Sequence, residues 1–307
     1  MVKNYAGTAR RAPTALVISG PTASGKSALA LKIAEECDVV IINADALQLY
    51  EGLPILSSQP TAGEQKKTKH LLYSHFKSHE SCSVATWLKL LRATIDATLQ
   101  QNKLPLIVGG SGMYISKIFD GISMIPEISE QIRIEARQLF EEIGKEEFQQ
   151  KLIDLGEDEI LDKQRLIRAY EVLLQTGKPL FWWHQQPKKN LFVDVDFTHV
   201  NINPNREELY RNCNLRFEKM LDAGAMEEVK ELLKQGANAD WQISKTLGFS
   251  EIKNFLVGEI SRQKMIELAT QKTRNYAKRQ ITWFRHQFAE KLVFENIDEA
   301  FSNLQKS

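Results

Sequence analysis

The stretch GPTASGKS at residues 20–27 constrains the fold of this chain more than any other feature. It fits the pattern G-x-x-x-x-G-K-[ST], with an apolar run at 14–19 before it and helical periodicity over 26–37 after it. In such loops the glycines allow backbone N–H groups to surround a phosphate at the N-terminus of a helix. A simple turn is the competing interpretation, but it explains neither flanking element. The sequence therefore predicts a phosphate-binding loop without identifying the phosphate compound.

Further apolar runs predict a parallel sheet around this loop. They occupy 39–43, 104–110 and 197–203, and a short strand is expected at 291–296. A strand, loop, helix, strand unit has the crossover that makes its two strands parallel. The predicted fold class is therefore α/β, with a P-loop NTPase-like parallel sheet as its core.

The character of the sequence changes between residues 125 and 190, where charged helical segments replace the apolar runs. We interpret this stretch as a helical insertion domain. The expected division of the chain is a first core segment 1–124, the insertion 125–190 and a second core segment 191–307. In order, the other predicted helices cover 129–143, 145–155, 159–175, 205–222, 225–235, 261–287 and the C-terminus.

The composition excludes several classes of protein. Among 307 residues there are 40 basic and 39 acidic side chains, so any basic surface that binds nucleic acid must be local. Cys37, Cys82 and Cys213 are too few and too far apart for a disulfide framework or a cysteine-rich zinc site. No apolar stretch is long enough to span a bilayer. We expect a cytoplasmic monomer with no membrane partner.

Asp45 is the first candidate for catalysis. It follows the predicted strand 39–43 in the segment NADALQLY, at the edge of the sheet where ligands of open parallel sheets bind. A carboxylate there could hold Mg²⁺ or accept a proton from an attacking group, although it could also be a loop residue or a helix N-cap. A kinase or NTPase is expected to carry an acid at the end of a further strand, whereas the strand 104–110 continues into Ser111 and Gly112 without one.

The segment TRNYAKRQITWFRHQ at 273–287 predicts contact with nucleic acid. It holds basic and aromatic side chains and no acidic one, a composition suited to phosphate contacts and base stacking. A solvated helix face and core aromatics are the competing interpretation. The basic candidates are Arg274, Lys278, Arg279 and Arg285.

Six motifs in this order resemble those of the tRNA dimethylallyltransferases, also called tRNA isopentenyltransferases. They are GPTASGKS, DALQLY, GGSGMY, QRLIRAYEV, NREELYRNCNLRF and TRNYAKRQITWFR, and they cover residues 16–288. Enzymes of this family transfer the five-carbon prenyl group of dimethylallyl diphosphate to the exocyclic amine of the adenosine next to the anticodon. The resemblance implies the same fold, the same two substrates and Mg²⁺ as the cofactor.

The resemblance also implies roles for individual residues. Asp45 would be the general base, and Ser27 and Arg216 would complete the catalytic set, with Ser27 as the Mg²⁺ ligand. The whole loop would grip the diphosphate of the donor through Gly20, Pro21, Thr22, Ala23, Ser24, Gly25, Lys26 and Ser27. Without the resemblance, Arg216 would be interpreted as an exposed residue on an amphipathic helix.

Contacts with the tRNA anticodon stem-loop are implied in the core and within the insertion, which would clasp the anticodon arm while the base is extracted. The implied set is Asp45, Ala46, Leu47, Gln48, Ser111, Arg133, Gln164, Arg165, Leu166, Ile167 and Arg168, together with the four basic residues of 273–287. Three positions depart from the family pattern. Ala46 stands where serine is usual, Gln59 where lysine is common and Asn212 where arginine is frequent.

Three other functions fit fewer of these features. A small-molecule kinase or NTPase explains the loop alone. An adenylate isopentenyltransferase, which prenylates free AMP or ADP, has little use for the insertion or for the basic aromatic segment. A non-catalytic RNA-binding module gives no reason for Lys26, Ser27 and Asp45 to occur together.

Overall fold

A computed structural model of the chain describes residues 14–157, 160, 162–288 and 291–306. These residues form two compact units: the second comprises the described residues of 120–190, and the first comprises the described residues of 14–119 and 191–306. Residues 1–13 of the predicted first core segment, and residues 159 and 161 of the predicted helix 159–175, lie outside the described residues.

The first unit is built on a six-stranded sheet whose order is β3-β2-β4-β1-β5-β6. Every pair of neighbouring strands is parallel, which confirms the predicted α/β fold class. The strands are β1 Thr14–Ser19, β2 Val39–Asn43, β3 Lys69–Leu71, β4 Leu104–Gly109, β5 Asp196–Ile202 and β6 Leu292–Phe294. The strand β3 was not predicted, because its three residues are polar or only half-buried at the edge of the sheet.

Helices cover the sheet and form most of the second unit. Those before the second unit are α1 Lys26–Ala34, α2 Ala62–Lys67, α3 Val84–Gln100 and α4 Gly112–Asp120. The second unit contains α5 Glu130–Asp154, α6 Lys163–Thr176 and α7 Leu180–Gln185. The remaining helices are α8 Arg206–Asp222, α9 Ala225–Lys234, the 3₁₀ helix Gln242–Lys245, α10 Phe249–Leu256, α11 Arg262–Gln287 and α12 Ile297–Lys306.

The apolar runs of the sequence form the centre of the sheet. The strands β1, β2 and β4 are almost wholly buried, and Leu29 and Ile33 of α1 pack on one face of them beside Phe301 of α12. Because all the strands are parallel, the segments that follow β1, β2 and β4 leave from the same edge. That edge is where parallel α/β sheets bind ligands.

A buried histidine of β5, His199, contacts Ser19, the last residue of β1 before the phosphate loop. Ser19 Oγ lies 2.7 Å from His199 Nε2 and accepts a hydrogen bond from Asn201 Nδ2 at 2.8 Å. The His199 ring packs between Phe119 and Phe288. Burial, with a smaller effect of the Lys291 charge, lowers the pKa of His199 to about 4. The imidazole is therefore neutral at physiological pH.

The stability of the fold is expected to depend on pH through His199. Its pKa rises from about 4 in the folded chain to about 6.5 when unfolded, so between these values only the unfolded chain takes up the proton. The free energy of unfolding should thus fall by up to about 3 kcal/mol as the pH drops from 7 to 4. His199→Asn should flatten this slope in denaturant titrations, whereas His286→Asn, at an exposed position, should leave it intact. Equal slopes in both variants would contradict the assignment.

The second unit has its own apolar core between α5 and α6. Phe140, Phe148 and Tyr170 belong to it. The backbone of Gly144 is not helical, which breaks α5 at the boundary predicted between 129–143 and 145–155. The helix predicted over 159–175 begins later, at Lys163, because the Asp162 side chain caps it by accepting a hydrogen bond from the Arg165 amide.

Within the part of the chain that the structure describes, no helix combines the length and the apolarity needed to cross a bilayer.

Candidate active site

The phosphate loop opens into a cavity of about 500 Å³ at the carboxyl edge of the sheet. Segments that are distant in the sequence line it, among them the loop after β1, Asp45 after β2, Gly110 after β4, and the helices α8 and α11 through Arg216 and Gln280. The three predicted catalytic residues Ser27, Asp45 and Arg216 therefore line the same cavity. Residues far apart in the sequence share this site because parallel strands end at the same edge.

The loop turns into α1 through Gly25, whose φ of 93° lies in the left-handed region that favours glycine. The helix begins immediately afterwards at Lys26, so its first backbone N–H groups face the cavity side of the loop. The hydroxyl oxygen of Ser24 is buried and has no hydrogen-bond partner among the described residues. A buried hydroxyl in that condition is suited to a polar ligand. The loop thus has the features of an anion site.

Lys26 supplies the positive charge of the loop. Its Nζ donates a hydrogen bond to the Pro21 carbonyl oxygen at 2.6 Å. Burial lowers the pKa of Lys26 to about 7, although attraction to Asp45 opposes this and the nearby Arg216 charge adds to it. An anionic ligand in the cavity would reverse the shift by favouring the charged ammonium.

Asp45 is held in place by its neighbours in the sequence. The side chain of Asn43 accepts a hydrogen bond from the Asp45 amide at 2.8 Å and donates to the Asp45 carbonyl at 2.9 Å. Asp45 Oδ1 accepts from the Leu47 amide at 3.1 Å. Burial raises the pKa of Asp45, while the Leu47 hydrogen bond and the charges of Lys26 and Arg216 partly oppose the rise. A carboxylate with a raised pKa is a stronger base than an exposed one.

Arg216 reaches the loop from α8. Its guanidinium donates a hydrogen bond to Thr22 Oγ1. Burial lowers the pKa of Arg216, and the nearby Cys213 and Asp45 oppose that effect. Lys26 and Arg216 thus present two cationic groups to the same cavity, opposite in charge to Asp45.

A second cavity of about 250 Å³ shares Thr22, Asp45 and Arg216 with the first. Its wall is more apolar and includes Leu47, Leu56, Phe217, Met220 and Tyr276. Asp45 therefore stands where the cavity beside the loop of residues 20–27 meets a cavity with more apolar walls. This arrangement suits a reaction between an anionic donor and a flat or apolar group.

The residues around Asp45 that were predicted to contact tRNA are tied into the surrounding loops. The amide of Ala46 donates to Ser111 Oγ at 2.9 Å. Gln48 Nε2 donates to the carbonyls of Ser57 and Ser58 at 2.8 and 3.0 Å. Gln59, where a lysine is common, donates to the Tyr50 carbonyl at 2.9 Å. Its side chain therefore has a structural contact in the cavity wall.

Glu228 of α9 anchors the loop that carries Ser57 into both cavities. Its carboxylate accepts hydrogen bonds from the amides of Ile55 and Leu56 at 2.7 and 3.0 Å. Glu228→Ala would leave both amides unpaired and should lower the free energy of unfolding by about 2 kcal/mol in denaturant titrations. The matched change Glu227→Ala, at the adjacent exposed position, should cost less than about 0.5 kcal/mol. A loss at Glu228 no larger than at Glu227 would rule out the anchoring role.

The basic aromatic segment forms the C-terminal half of α11. Three of its four basic side chains are exposed: Lys278, Arg279 and Arg285. Arg274 is partly buried and donates to Asn214 Oδ1 of α8 at 2.7 Å. Trp283 is 42% exposed and lies against Gly112, the first residue of α4. This half of the helix thus presents cations and an indole to solvent and also packs on the core.

The remaining predicted tRNA contacts lie in the second unit. Gln164 and Arg165 are exposed on α6. Arg133 and Arg168 pair with acidic residues on their own helices, at 3.5 and 3.2 Å. Two residues of the QRLIR motif belong to the apolar core of that unit: Leu166 is fully buried in this core, and Ile167 packs against it. The Leu166 side chain therefore fills the core rather than facing a ligand.

Two further residues organise the site and were not predicted from the sequence. Asn43 is fully buried and fixes the backbone of Asp45. Gln280 connects α11 to the phosphate loop by accepting a hydrogen bond from the Thr22 amide. The sequence held a sign of each residue. Asn43 is the one polar residue of the apolar strand β2, and Gln280 is a polar residue on the buried face of α11.

Comparison with known proteins identifies relatives along nearly the whole chain. The profile of the IPP transferase family matches residues 48–287. The tRNA dimethylallyltransferase of Ehrlichia chaffeensis is 39% identical over 299 residues, which cover 95% of this chain and 97% of that protein.

Solved structures show the same fold. The tRNA isopentenylpyrophosphate transferase of Bacillus halodurans superposes with a TM-score of 0.69 at 26% identity, over 95% of this chain and 94% of that one. A eukaryotic dimethylallyltransferase, described as acting on tRNA, shares the fold with a TM-score of 0.73 at 23% identity over 88% of this chain and 69% of that one. On the sequence matches, the chain belongs to the IPP transferase family, the family of the tRNA dimethylallyltransferases.

Proposed function

We propose that this protein transfers the dimethylallyl group of dimethylallyl diphosphate to the exocyclic amine of the adenosine on the 3′ side of the anticodon in tRNA, releasing diphosphate. The observation that carries the proposal is that Lys26, Asp45 and Arg216 line one and the same cavity. The chain belongs to the IPP transferase family, which supports the same conclusion. A kinase is expected to carry an acid at the end of a further strand, and β4 continues into Gly110, Ser111 and Gly112 without one. A prenyl transferase needs a base and cations for the leaving group.

The phosphate loop binds the diphosphate of the donor. The backbone of residues 20–27, the Ser24 hydroxyl and the charge of Lys26 would surround the anion, and Arg216 lines the same cavity and contacts Thr22. When the allylic C–O bond breaks, its electron pair stays on the diphosphate oxygen. Fixed cations stabilise this growing charge without having to reorient.

Asp45 serves the acceptor. The amine nitrogen forms the new bond to the allylic carbon and loses a proton, which the Asp45 carboxylate accepts. The backbone amide of Leu47 donates a hydrogen bond to the carboxylate, which lines both cavities. The apolar wall near Tyr276 and Phe217 would surround the prenyl chain or the extracted base.

The loop would suit a Mg²⁺ ion that takes few ligands from the protein. Among the described residues, no group of three or more His, Cys, Asp or Glu side chains could hold a metal ion by itself. Mg²⁺ commonly takes few protein ligands beside substrate phosphates, and the Ser27 hydroxyl lines the cavity next to Lys26. We therefore assign Ser27 as its ligand. When bound, the ion would neutralise part of the diphosphate charge.

The tRNA would be held by exposed cations on both units. In the first unit these are Lys278, Arg279 and Arg285, with Trp283 available for stacking. In the second unit, Arg165 and Gln164 are exposed on α6, which supports its role as a clasp for the anticodon arm. A tRNA substrate also supports the expected cytoplasmic location, and the monomeric state stays a prediction.

The proposal is tested by incubating the protein with unmodified tRNA, dimethylallyl diphosphate and Mg²⁺, followed by mass analysis of the nucleosides. Dimethylallyl adenosine next to the anticodon is the expected product. Modification of free AMP without modification of tRNA would replace the proposal with an adenylate isopentenyltransferase. ATP hydrolysis without either product would favour a kinase or NTPase.

A further inference from the structure

Gln280 lies in an unusual place for a polar side chain of α11. It occupies the buried face of the helix, in line with Thr273, Ala277 and Phe284, and is only 6% exposed. Its two polar atoms are both used. Gln280 Oε1 accepts a hydrogen bond from the Thr22 amide and Nε2 donates to the Gly110 carbonyl, each at 2.8 Å. The side chain thus joins the loop after β1 to the loop after β4.

The contact with Thr22 fixes one backbone group of the phosphate loop. Its amide N–H is committed to Gln280, while its hydroxyl accepts from Arg216. Thr22 is therefore held by two helices, α11 and α8, that are both remote in sequence from the loop. A loop whose backbone is fixed in advance loses less entropy when it binds an anion.

The contact with Gly110 brings the same side chain close to the proposed base. A Cβ atom at Gly110 would come within 2.5 Å of Gln280 Nε2 and 3.7 Å of Asp45 Oδ2. The absence of a side chain at this glycine lets the amide approach the turn after β4. Gln280 therefore stands between the segment that holds the donor and the segment beside Asp45.

We propose that Gln280 is a positioning residue, whose side-chain amide bridges Thr22 and Gly110 and so holds the phosphate loop in the shape that binds the diphosphate of the donor. This inference rests on the proposed function. Gln280 would act through Thr22 and Gly110, and the reacting atoms would not touch it. Losing the bridge would leave a partly buried amide N–H and a buried carbonyl unpaired unless the loop moves.

The test compares Gln280→Met, which keeps the volume but removes both hydrogen bonds, with Gln271→Met at an exposed position of the same helix. The first readout is the Kd of inorganic diphosphate with Mg²⁺, measured by calorimetry. We expect it to rise at least about tenfold in Gln280→Met and to stay unchanged in Gln271→Met. The KM for dimethylallyl diphosphate should rise in parallel, while the KM for an anticodon stem-loop stays within about threefold. A purely structural role would lower the melting temperature without separating the two KM values.

Gln280→Glu is a second variant, to be used if the Gln280→Met variant does not fold. It keeps an acceptor for the Thr22 amide but places a carboxylate against the Gly110 carbonyl oxygen, so diphosphate affinity should again fall at least about tenfold. The inference is overturned if a folded variant at this position binds diphosphate within twofold of Gln271→Met. A wild-type protein that binds diphosphate but prenylates no tRNA would refute the proposed function, and the diphosphate Kd would still decide the role of Gln280.

Discussion

Asp45→Asn is expected to lower kcat for prenyl transfer by about 10²–10⁴-fold. Asparagine keeps the size of the side chain and an oxygen that can accept from the Leu47 amide, but it cannot take the proton of the attacking amine. The loss should fall on kcat, because a base acts mainly in the transition state. The Kd for tRNA should therefore stay within about tenfold, as measured by filter binding beside single-turnover kinetics.

The matched control is Asp222→Asn, which removes the same charge at an exposed position of α8. It should leave kcat unchanged. If Asp45→Asn turns over at a rate near that of the wild type, Asp45 has no part in the proton transfer.

The pH profile gives a separate check on Asp45. Burial raises its pKa, so the carboxylate form that accepts the proton is lost at a higher pH than for an exposed aspartate. In the wild type, kcat should fall on the acid side as the pH drops through this raised pKa. The residual activity of Asp45→Asn should not show that acid limb, and a shared limb would assign it to another group.

The strand, loop and helix around residues 20–27 could be predicted because all of their determinants are local. An apolar run, two glycines and a periodic helix specify the unit within about twenty residues, and the structure has it as β1, the loop and α1. The position of Asp45 at the sheet edge followed from the same reasoning. It needed only the parallel order of the strands.

Contacts between distant segments could not be predicted in this way. Gln280 and Thr22 are 258 positions apart, and Ile55 and Glu228 are 173 apart, so no local pattern links them. The edge strand β3 was missed because only one neighbouring strand and little burial favour it. Helix α3 was also missed, although Trp87, Leu88 and Leu91 have helical spacing in the sequence.

The match to a sequence motif also did not show which of its residues are buried and which are exposed. In QRLIR, Arg165 is exposed whereas Leu166 is buried one position later, because the helix turns about 100° per residue. The family resemblance supplied the segment, and the burial of each residue decides which side chains can meet RNA.

Lys26→Met is expected to lower kcat/KM for dimethylallyl diphosphate by about 10²–10³-fold. The ammonium is the one cation of the loop itself, and methionine keeps the length of the side chain without the charge. Both binding of the donor and departure of diphosphate should suffer, so KM and kcat should change together. Lys89→Met, which removes an exposed charge from α3, is the control and should behave as the wild type in the same steady-state assay.

Because the pKa of Lys26 is lowered, binding of the donor should be accompanied by proton uptake. With a pKa of about 7, the Lys26 side chain is mostly uncharged at pH 8 in the protein without the donor. The bound donor favours the charged ammonium form. Donor binding at pH 8 should therefore take up as much as about one proton, seen by calorimetry in buffers of different ionisation enthalpy. Lys26→Met should lose this uptake while Lys89→Met retains it. Undiminished uptake in Lys26→Met would show that another group in the cavity receives the proton and that Lys26 is already charged before the donor arrives.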